Sequence, residues 1–110
     1  MKSQNFKITL LALIGISFLS VSFVFAETAE EYYSRSLTYG RQGNLSQAIS
    51  DCTKALELDN DFADAYYNRA LAYFNKEEYK KALADVSRAK ELGCPVDPEF
   101  LNTIKKASGS

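Results

Sequence analysis

Two cysteines and two pairs of adjacent glutamates are the side chains of this sequence best suited by type to do chemistry. The thiols belong to Cys52 and Cys94, and the paired carboxylates lie at positions 30–31 and 77–78. The 110 residues include no histidine, which removes the commonest general base, the Ser-His and Cys-His nucleophile systems and histidine metal sites. The sequence also has no glycine-rich phosphate loop, CxxC or HExxH motif. Helix dipoles and solvent explain the glutamates, so we predict no enzyme, no catalytic residue, no metal site and no cofactor.

Two arginine-aspartate pairs form a second candidate constellation. Arg35 precedes Asp51 by the same spacing by which Arg69 precedes Asp85. These residues could form a charged binding site. Alternatively, they could be structural ion pairs that tie helices together, either within one unit or from Asp51 to Arg69. Because a charge that is largely out of water is normally paired, we favour structural ion pairs.

The element that must position these residues is a repeat of 34 residues. Residues 29–62 align without a gap on residues 63–96, and a fixed period of this length indicates stacked helical or similar units. The identical pairs are Ala29/Ala63, Tyr32/Tyr66, Tyr33/Tyr67, Arg35/Arg69, Leu37/Leu71, Tyr39/Tyr73, Ala48/Ala82, Asp51/Asp85, Ala55/Ala89, Glu57/Glu91 and Leu58/Leu92.

Each unit is predicted to be a helix, a turn and a second helix. Apolar residues recur at helical spacing on both sides of Gly43 and Asn44. Gly43 can adopt the left-handed conformation that ends a helix, and Asn44 can cap the next helix. In the second unit the equivalent positions hold Glu77 and Glu78, which suit a turn less well.

The alternation of small and large residues at this period resembles the tetratricopeptide repeat. The resemblance rests on tyrosines in each first helix and alanines in each second helix: Tyr32, Tyr39, Tyr66, Tyr73, Ala48, Ala55, Ala82 and Ala89. It implies an all-α fold, a short right-handed α-solenoid with repeats at 29–62 and 63–96 and a capping helix at 97–107. Tyrosine replaces the family's tryptophan, and Asn60 stands where a proline often closes the first unit. Small residues, among them Ser36 and Ala70, are expected where two helices approach closely.

The two ends of the stack are predicted to be closed. Ala65 and Ala72 suit contact with a preceding helix, whereas the equivalent Glu31 and Thr38 give a polar front. Asp97 and Pro98 indicate the start of a last helix. Its predicted apolar stripe is Phe100, Leu101, Ile104 and Ala107, with Lys105 and Lys106 near its C-terminus.

The resemblance also implies a concave groove lined by the first helix of each unit, which would bind a protein or peptide. The candidate partner-binding residues are Tyr33, Ser34, Leu37, Arg41, Asp64, Tyr67, Asn68, Leu71, Phe74 and Asn75. Gly40 shares this face, and the last helix could extend it. Some family members hold a C-terminal carboxylate with lysines and asparagines. Here Tyr33 and Leu37 replace two of those residues and only Asn68 matches, so we expect aromatic and apolar specificity. Two alternatives remain: a groove whose tyrosines bind nothing, and a structural, self-assembling homo-oligomer.

Residues 1–26 are predicted to be a signal peptide or an N-terminal membrane anchor. Lys2 and Lys7 precede an uncharged apolar stretch at 8–26, which ends in a small-x-small cleavage site at Ala26. Both alternatives place residues 27–110 outside the cytoplasm, in the periplasm or secreted, with membrane contact only if the segment is not cleaved. Of the 13 basic residues two lie in this segment, which leaves 11 against 14 acidic residues. Nucleic acid is therefore not an expected partner.

The cysteines are predicted to be free thiols, although export would expose them to an oxidising compartment. Cys52 aligns with Val86 and is therefore expected to be buried, whereas Cys94 falls in a turn one repeat further on. A disulfide would require their Cα atoms to lie within roughly 7 Å.

Overall fold

The computed structural model describes residues 27–110, which form five α-helices. These are α1 (Ala29–Arg41), α2 (Leu45–Leu58), α3 (Ala63–Asn75), α4 (Tyr79–Glu91) and α5 (Pro98–Ser108). The described part of the chain contains no strand, so the all-α fold is confirmed. None of these five helices has the length and hydropathy needed to cross a bilayer. The predictions for residues 1–26 lie outside the described residues.

Polar side chains start the first and last helices. The Thr28 hydroxyl accepts a hydrogen bond from the backbone N–H of Glu31, whose carboxylate accepts one in return from the Thr28 N–H. Asp97 caps α5 by accepting from the Glu99 N–H, with Pro98 in the first turn, as predicted. Asn44 occupies the predicted cap position of α2, but its side chain forms no cap hydrogen bond. That part of the prediction was wrong, because the Asn44 backbone, with φ −85° and ψ 75°, is not in the extended conformation in which a cap side chain reaches the first N–H groups.

The turns after four of the helices share one hydrogen-bond pattern. After α1, the N–H of Gly43 bonds to the Gly40 carbonyl, and the N–H of Asn44 bonds to the Tyr39 carbonyl. This is the Schellman pattern, whose central residue adopts a positive φ. Gly43, Gly93 and Gly109 occupy that position after α1, α4 and α5, and Glu77 occupies it after α3 with a φ of 63°. Helix α5 thus runs to Ser108, one residue beyond its predicted end.

Small residues allow the helices to approach closely within and between the two pairs. Helix α1 packs on α2, α3 packs on α4, α2 also contacts α3, and α5 covers α4. The small residues predicted for these contacts are all 0–1% exposed: Ser36, Ala48, Ala55, Ala70, Ala82 and Ala89. Larger side chains fill the remaining space around two buried clusters.

Within residues 27–110, the two ends of the stack differ in what they present to solvent. Ala65 and Ala72 are buried against the preceding helices, whereas Glu31 and Thr38 are exposed on the front face of α1. At the other end Ile104 of α5 is 0% exposed and packs in the cluster around Val86. The architecture is therefore a short solenoid-like stack of two helix pairs with a fifth helix at its back.

Candidate functional site

The two arginine-aspartate pairs are structural ion pairs within each unit. The Arg35 guanidinium donates to both carboxylate oxygens of Asp51 at 2.8 and 2.9 Å. Arg69 does the same to Asp85 at 2.7 and 2.8 Å. These hydrogen bonds raise the pKa of both arginines. Both aspartates are buried, so the pairs join the two helices of a unit and offer no charge to a ligand.

The two cysteines are free thiols, as predicted. Cys52 is 0% exposed and accepts a hydrogen bond from the side-chain amide of Asn68 at 3.4 Å. Cys94 is half-buried, and its thiol donates to the Asp64 carboxylate at 3.9 Å. Burial is the main cause that raises the pKa of both thiols, and nearby Asp64 raises that of Cys94 further. Neither cysteine is held as the reactive thiolate.

The described residues contain no group of three or more Cys, Asp or Glu side chains that could hold a metal ion. They do contain an open, concave pocket of about 220 Å³, lined by residues of α1, α2 and α3. Five of the ten candidate residues line it: Leu37, Arg41, Asn68, Leu71 and Asn75. The structure therefore brings half of the predicted set together in one place.

Four further residues complete this pocket. Gly40 and Ala72 come from the first helices of the two units, whereas Leu45 and Ala48 come from α2. Helix α2 was not expected to contribute, because the resemblance assigns the groove to the first helices. The sequence indicated Ala48 only as a small residue at a close helix contact, and it carried no signal for Leu45.

The pocket has an apolar interior and a polar rim. Leucines 37, 45 and 71 are half-buried and form most of its wall, and Arg41 and Asn75 are exposed. The side-chain amide of Asn68 is held in place, because it donates to the Ser36 hydroxyl at 2.9 Å as well as to Cys52. Ser36 in turn donates to the Tyr33 carbonyl at 2.6 Å. A network that joins α1, α2 and α3 therefore fixes the pocket wall.

The other five candidate residues lie outside the pocket. The Tyr33 ring packs on Phe62 with centroids 4.9 Å apart, and the Tyr67 ring packs on Phe100 at 6.3 Å. Both tyrosines border the buried clusters. The phenol of Tyr33 has a raised pKa, mainly because it is desolvated. These two candidate partner-binding tyrosines thus contribute to packing.

The remaining three candidates occupy separate environments. Phe74 packs on Tyr79 and on Phe100, at 5.5 Å in each case. Asp64 is exposed near Cys94. Ser34 is exposed on a shallow surface of α1 that is lined by charged and hydroxyl-bearing residues.

Comparisons with known proteins agree with this architecture. The family model described as TPR repeat matches residues 30–77, and the model described as tetratricopeptide repeat matches residues 63–92. The chain belongs to the tetratricopeptide repeat family. Tetratricopeptide repeats are generally non-catalytic modules for protein interaction. No curated protein matches this tetratricopeptide repeat chain.

One similar solved structure is described as the first TPR of Spaghetti (RPAP3) bound to the HSP90 peptide SRMEEVD. It is 27% identical in sequence, with a TM-score of 0.71. The match covers 76% of the present tetratricopeptide repeat chain and 68% of the other chain. A protein of the same fold and detectable sequence similarity therefore binds a peptide.

Proposed function

We propose that this protein is a non-catalytic adaptor that binds a peptide segment of a partner protein in the pocket between α1, α2 and α3. The observation that carries the proposal is the pocket itself, which combines an apolar wall, a polar rim and a network that holds its shape. Ligand pockets commonly combine an apolar lining with a few fixed polar groups. The peptide bound by the similar solved structure supports the same type of ligand.

The adaptor is proposed to act outside the cytoplasm. This part of the proposal rests on the apolar segment and cleavage site in residues 1–26. The mass of the purified protein tests it, because cleavage after Ala26 leaves Glu27 as the first residue. A mass that corresponds to the full chain, found in a cytoplasmic fraction, would contradict it.

Gly40 allows a sharp test of the pocket. Gly40 lines the pocket, and a Cβ atom added there meets no atom within 4 Å. Gly40→Trp is expected to block the pocket, whereas Gly40→Ala leaves it open. Gly40→Ala also removes a helical glycine, which stabilises a helix by roughly 0.5–1 kcal/mol. Circular dichroism and thermal unfolding of both variants are the controls that separate loss of binding from loss of the fold.

The measurement is affinity capture from envelope extract with the wild-type chain and both variants, followed by mass spectrometry. A partner is expected with the wild type and Gly40→Ala, and its yield should fall sharply with Gly40→Trp. Equal yields from all three proteins would contradict the proposed site. Sedimentation over a range of concentrations tests the alternative of self-assembly. A monomer is expected there, because the exposed front of α1 is polar.

A further inference from the structure

The charged side chains of the stack are unevenly divided between its two ends. Successive helices run in opposite directions, so the turns after α1 and α3 and the C-terminus of α5 lie at the same end. Lys76 at this end donates to the Ser46 hydroxyl at 3.3 Å, and the first turn of α4 borders the last residues of α5. We define this basic end by residues 41–47, 75–81 and 105–110. The opposite, acidic end comprises residues 27–31, 57–64 and 88–99.

The two ends carry opposite net charge. The basic end has six basic and two acidic side chains, a net charge of +4. At the acidic end, where Arg88 forms an ion pair with Asp61 at 3.6 Å, ten acidic and two basic side chains give a net charge of −8. The six basic side chains of the basic end are all exposed: Arg41, Lys76, Lys80, Lys81, Lys105 and Lys106. The overall excess of acidic residues therefore conceals a basic surface at one end.

Helix stability accounts for only part of this basic surface. The basic side chains in the last turns of α1 and α5 lie where the helix dipole favours cations. Lys80 and Lys81 lie in the first turn of α4, where the dipole opposes cations. The first unit has Ser46 and Gln47 at the equivalent positions, so the turn itself does not need a cation there.

Most of these positive charges have no carboxylate partner within the described residues. Among residues 27–110, Lys80, Lys105 and Lys106 form no ion pair. Lys81 lies 3.4 Å from the Glu78 carboxylate but is 63% exposed, and an exposed pair of this kind contributes little. The exposed ammonium groups of α4 and α5 repel one another, so negative charge from outside the protein stabilises their arrangement.

The chemistry of the basic end favours an extended anionic surface over a peptide. The depression between α4 and α5 is lined by charged and small residues, and its one aromatic residue, Tyr79, is half-buried. It therefore lacks the apolar pocket in which a peptide side chain would be anchored. Five of the six cations are lysines, whose ammonium is a flexible point charge, whereas the planar fork of arginine suits a single carboxylate. Because the cations are spread over several helix ends, they match a plane of many anions.

We propose that the basic end binds the anionic phospholipid surface of a membrane, with the acidic end turned away from it. Each lysine near such a surface strengthens binding about fivefold, and repulsion of the acidic end fixes the orientation. The pocket between α1, α2 and α3 then lies near the bilayer, because Arg41 and Asn75 at the basic end line it. The sequence connected membrane contact with residues 1–26 alone, and the basic end is a second, separate contact. It does not require the pocket to bind a peptide.

The test is co-flotation of the purified protein with vesicles. One set contains equal parts of phosphatidylglycerol and phosphatidylcholine, and the other contains only phosphatidylcholine. Binding to the anionic set is expected at about 0.1 M salt and should be lost at about 1 M salt, because the Debye length falls from about 10 Å to about 3 Å. Residues 1–26 are the same in every variant, and the zwitterionic vesicles measure any binding that is due to them.

Two double variants locate the contact. Lys80→Ser with Lys81→Gln gives α4 the residues of the first unit and removes two cations from a helix N-terminus, so the helix should not be weakened. The affinity for anionic vesicles should fall about 25-fold. Lys54→Gln with Lys90→Gln is the matched control, since both lysines are exposed, lie outside the basic end and carry the same total charge. It should bind as the wild type does, and thermal unfolding of both variants checks the fold.

Five results would overturn the proposal. Three of them are equal binding to both sets of vesicles, binding that persists at about 1 M salt, and an equal loss in the two double variants. Displacement by free glycerol phosphate would assign the basic end to a single phosphate group. Tighter binding to polyglutamate than to the anionic vesicles would assign it to an acidic protein segment. None of these results affects the peptide pocket, which Gly40→Trp tests separately.

Discussion

Glu77 has a backbone conformation that favours glycine, and replacing it with glycine should stabilise the protein. Its φ is 63°, and it is the one non-glycine residue with a positive φ in the described part of the chain. The equivalent residue of the first unit is Gly43, with a φ of 74°. The N–H groups of Glu77 and Glu78 donate to the carbonyls of Phe74 and Tyr73. The turn after α1 has the same two hydrogen bonds at the equivalent positions. The two turns therefore differ in side chain and not in geometry.

The magnitude follows from two opposing terms. A residue with a Cβ atom in the left-handed conformation costs about 1–2 kcal/mol. Glycine also increases the entropy of the unfolded chain, which lowers the free energy of unfolding by about 0.4–1 kcal/mol. The difference is a gain of about 0.5–1 kcal/mol in the free energy of unfolding for Glu77→Gly. Gly43→Ala should lose a similar amount, because a Cβ at Gly43 meets no atom within 4 Å and only the backbone term operates.

Urea and thermal unfolding of the two variants and the wild type measure these changes. In a domain of this size, 1 kcal/mol shifts Tm by about 4–8 °C, so the expected shifts of a few degrees in opposite directions are resolvable. Glu77→Ala is the control, since it removes the carboxylate and keeps the Cβ atom, and it should leave Tm nearly unchanged. A lower Tm for Glu77→Gly, which is what an ordinary glycine substitution in a right-handed segment would give, would contradict this prediction.

Further predictions concern the ion pairs, the thiols and the last helix. Arg69→Met should cost about 3 kcal/mol in urea titrations because a buried carboxylate loses its partner. Arg35→Met should cost less, since Arg35 is 41% exposed against 18% for Arg69; equal costs would contradict this. Alkylation of the native protein followed by mass spectrometry should label Cys94 and spare the fully buried Cys52. Burial raises the pKa of the Cys52 thiol. The neutral thiol therefore contributes its full stabilisation below the ordinary thiol pKa of about 8.5, and this stabilisation is lost as the pH rises through the higher pKa that the thiol has in the folded protein. Urea titrations at about pH 7 and about pH 9.5 should show that the wild type loses more stability between the two pH values than Cys52→Val does. Equal losses in the two proteins would contradict this prediction. Ile104→Ala should cost about 2–5 kcal/mol, and an unchanged urea midpoint would show that α5 does not close the core.

Most of the fold could be predicted from the sequence because it depends on local chemistry repeated twice. The 34-residue offset links Cys52 to Val86, and both are 0% exposed. The contrast between Glu31 and Ala65 correctly indicated which first helix faces solvent. Asp97 caps the last helix as its position suggested. Each of these inferences needs only helix geometry and a comparison between equivalent positions.

The pocket could be predicted only in part, because it depends on how three helices meet. Helical periodicity placed Tyr33 and Leu37 on one face of α1, but it could not show that the tyrosine turns to Phe62 while the leucine stays in the pocket. The Asn68 side chain resembled a ligand-binding amide, and in the fold it donates to Ser36 and Cys52. These contacts join different helices, and no spacing along one helix encodes them.

The two units also show how one set of residues serves two positions in a stack. Arg69 uses its remaining nitrogen to donate to the Thr53 hydroxyl of the preceding unit at 3.2 Å. Arg35 has no earlier helix beside it within the described residues, and its equivalent nitrogen instead meets the Glu27 carboxylate at 3.1 Å. The hydrogen bond from Arg69 to a neutral hydroxyl is thus replaced, at Arg35, by an ion pair. Arg35 lies at the more exposed end of the stack, where solvent competes more strongly. The front unit therefore satisfies its arginine with a residue next to its own first helix, and its ion pair does not depend on another unit stacked in front of it.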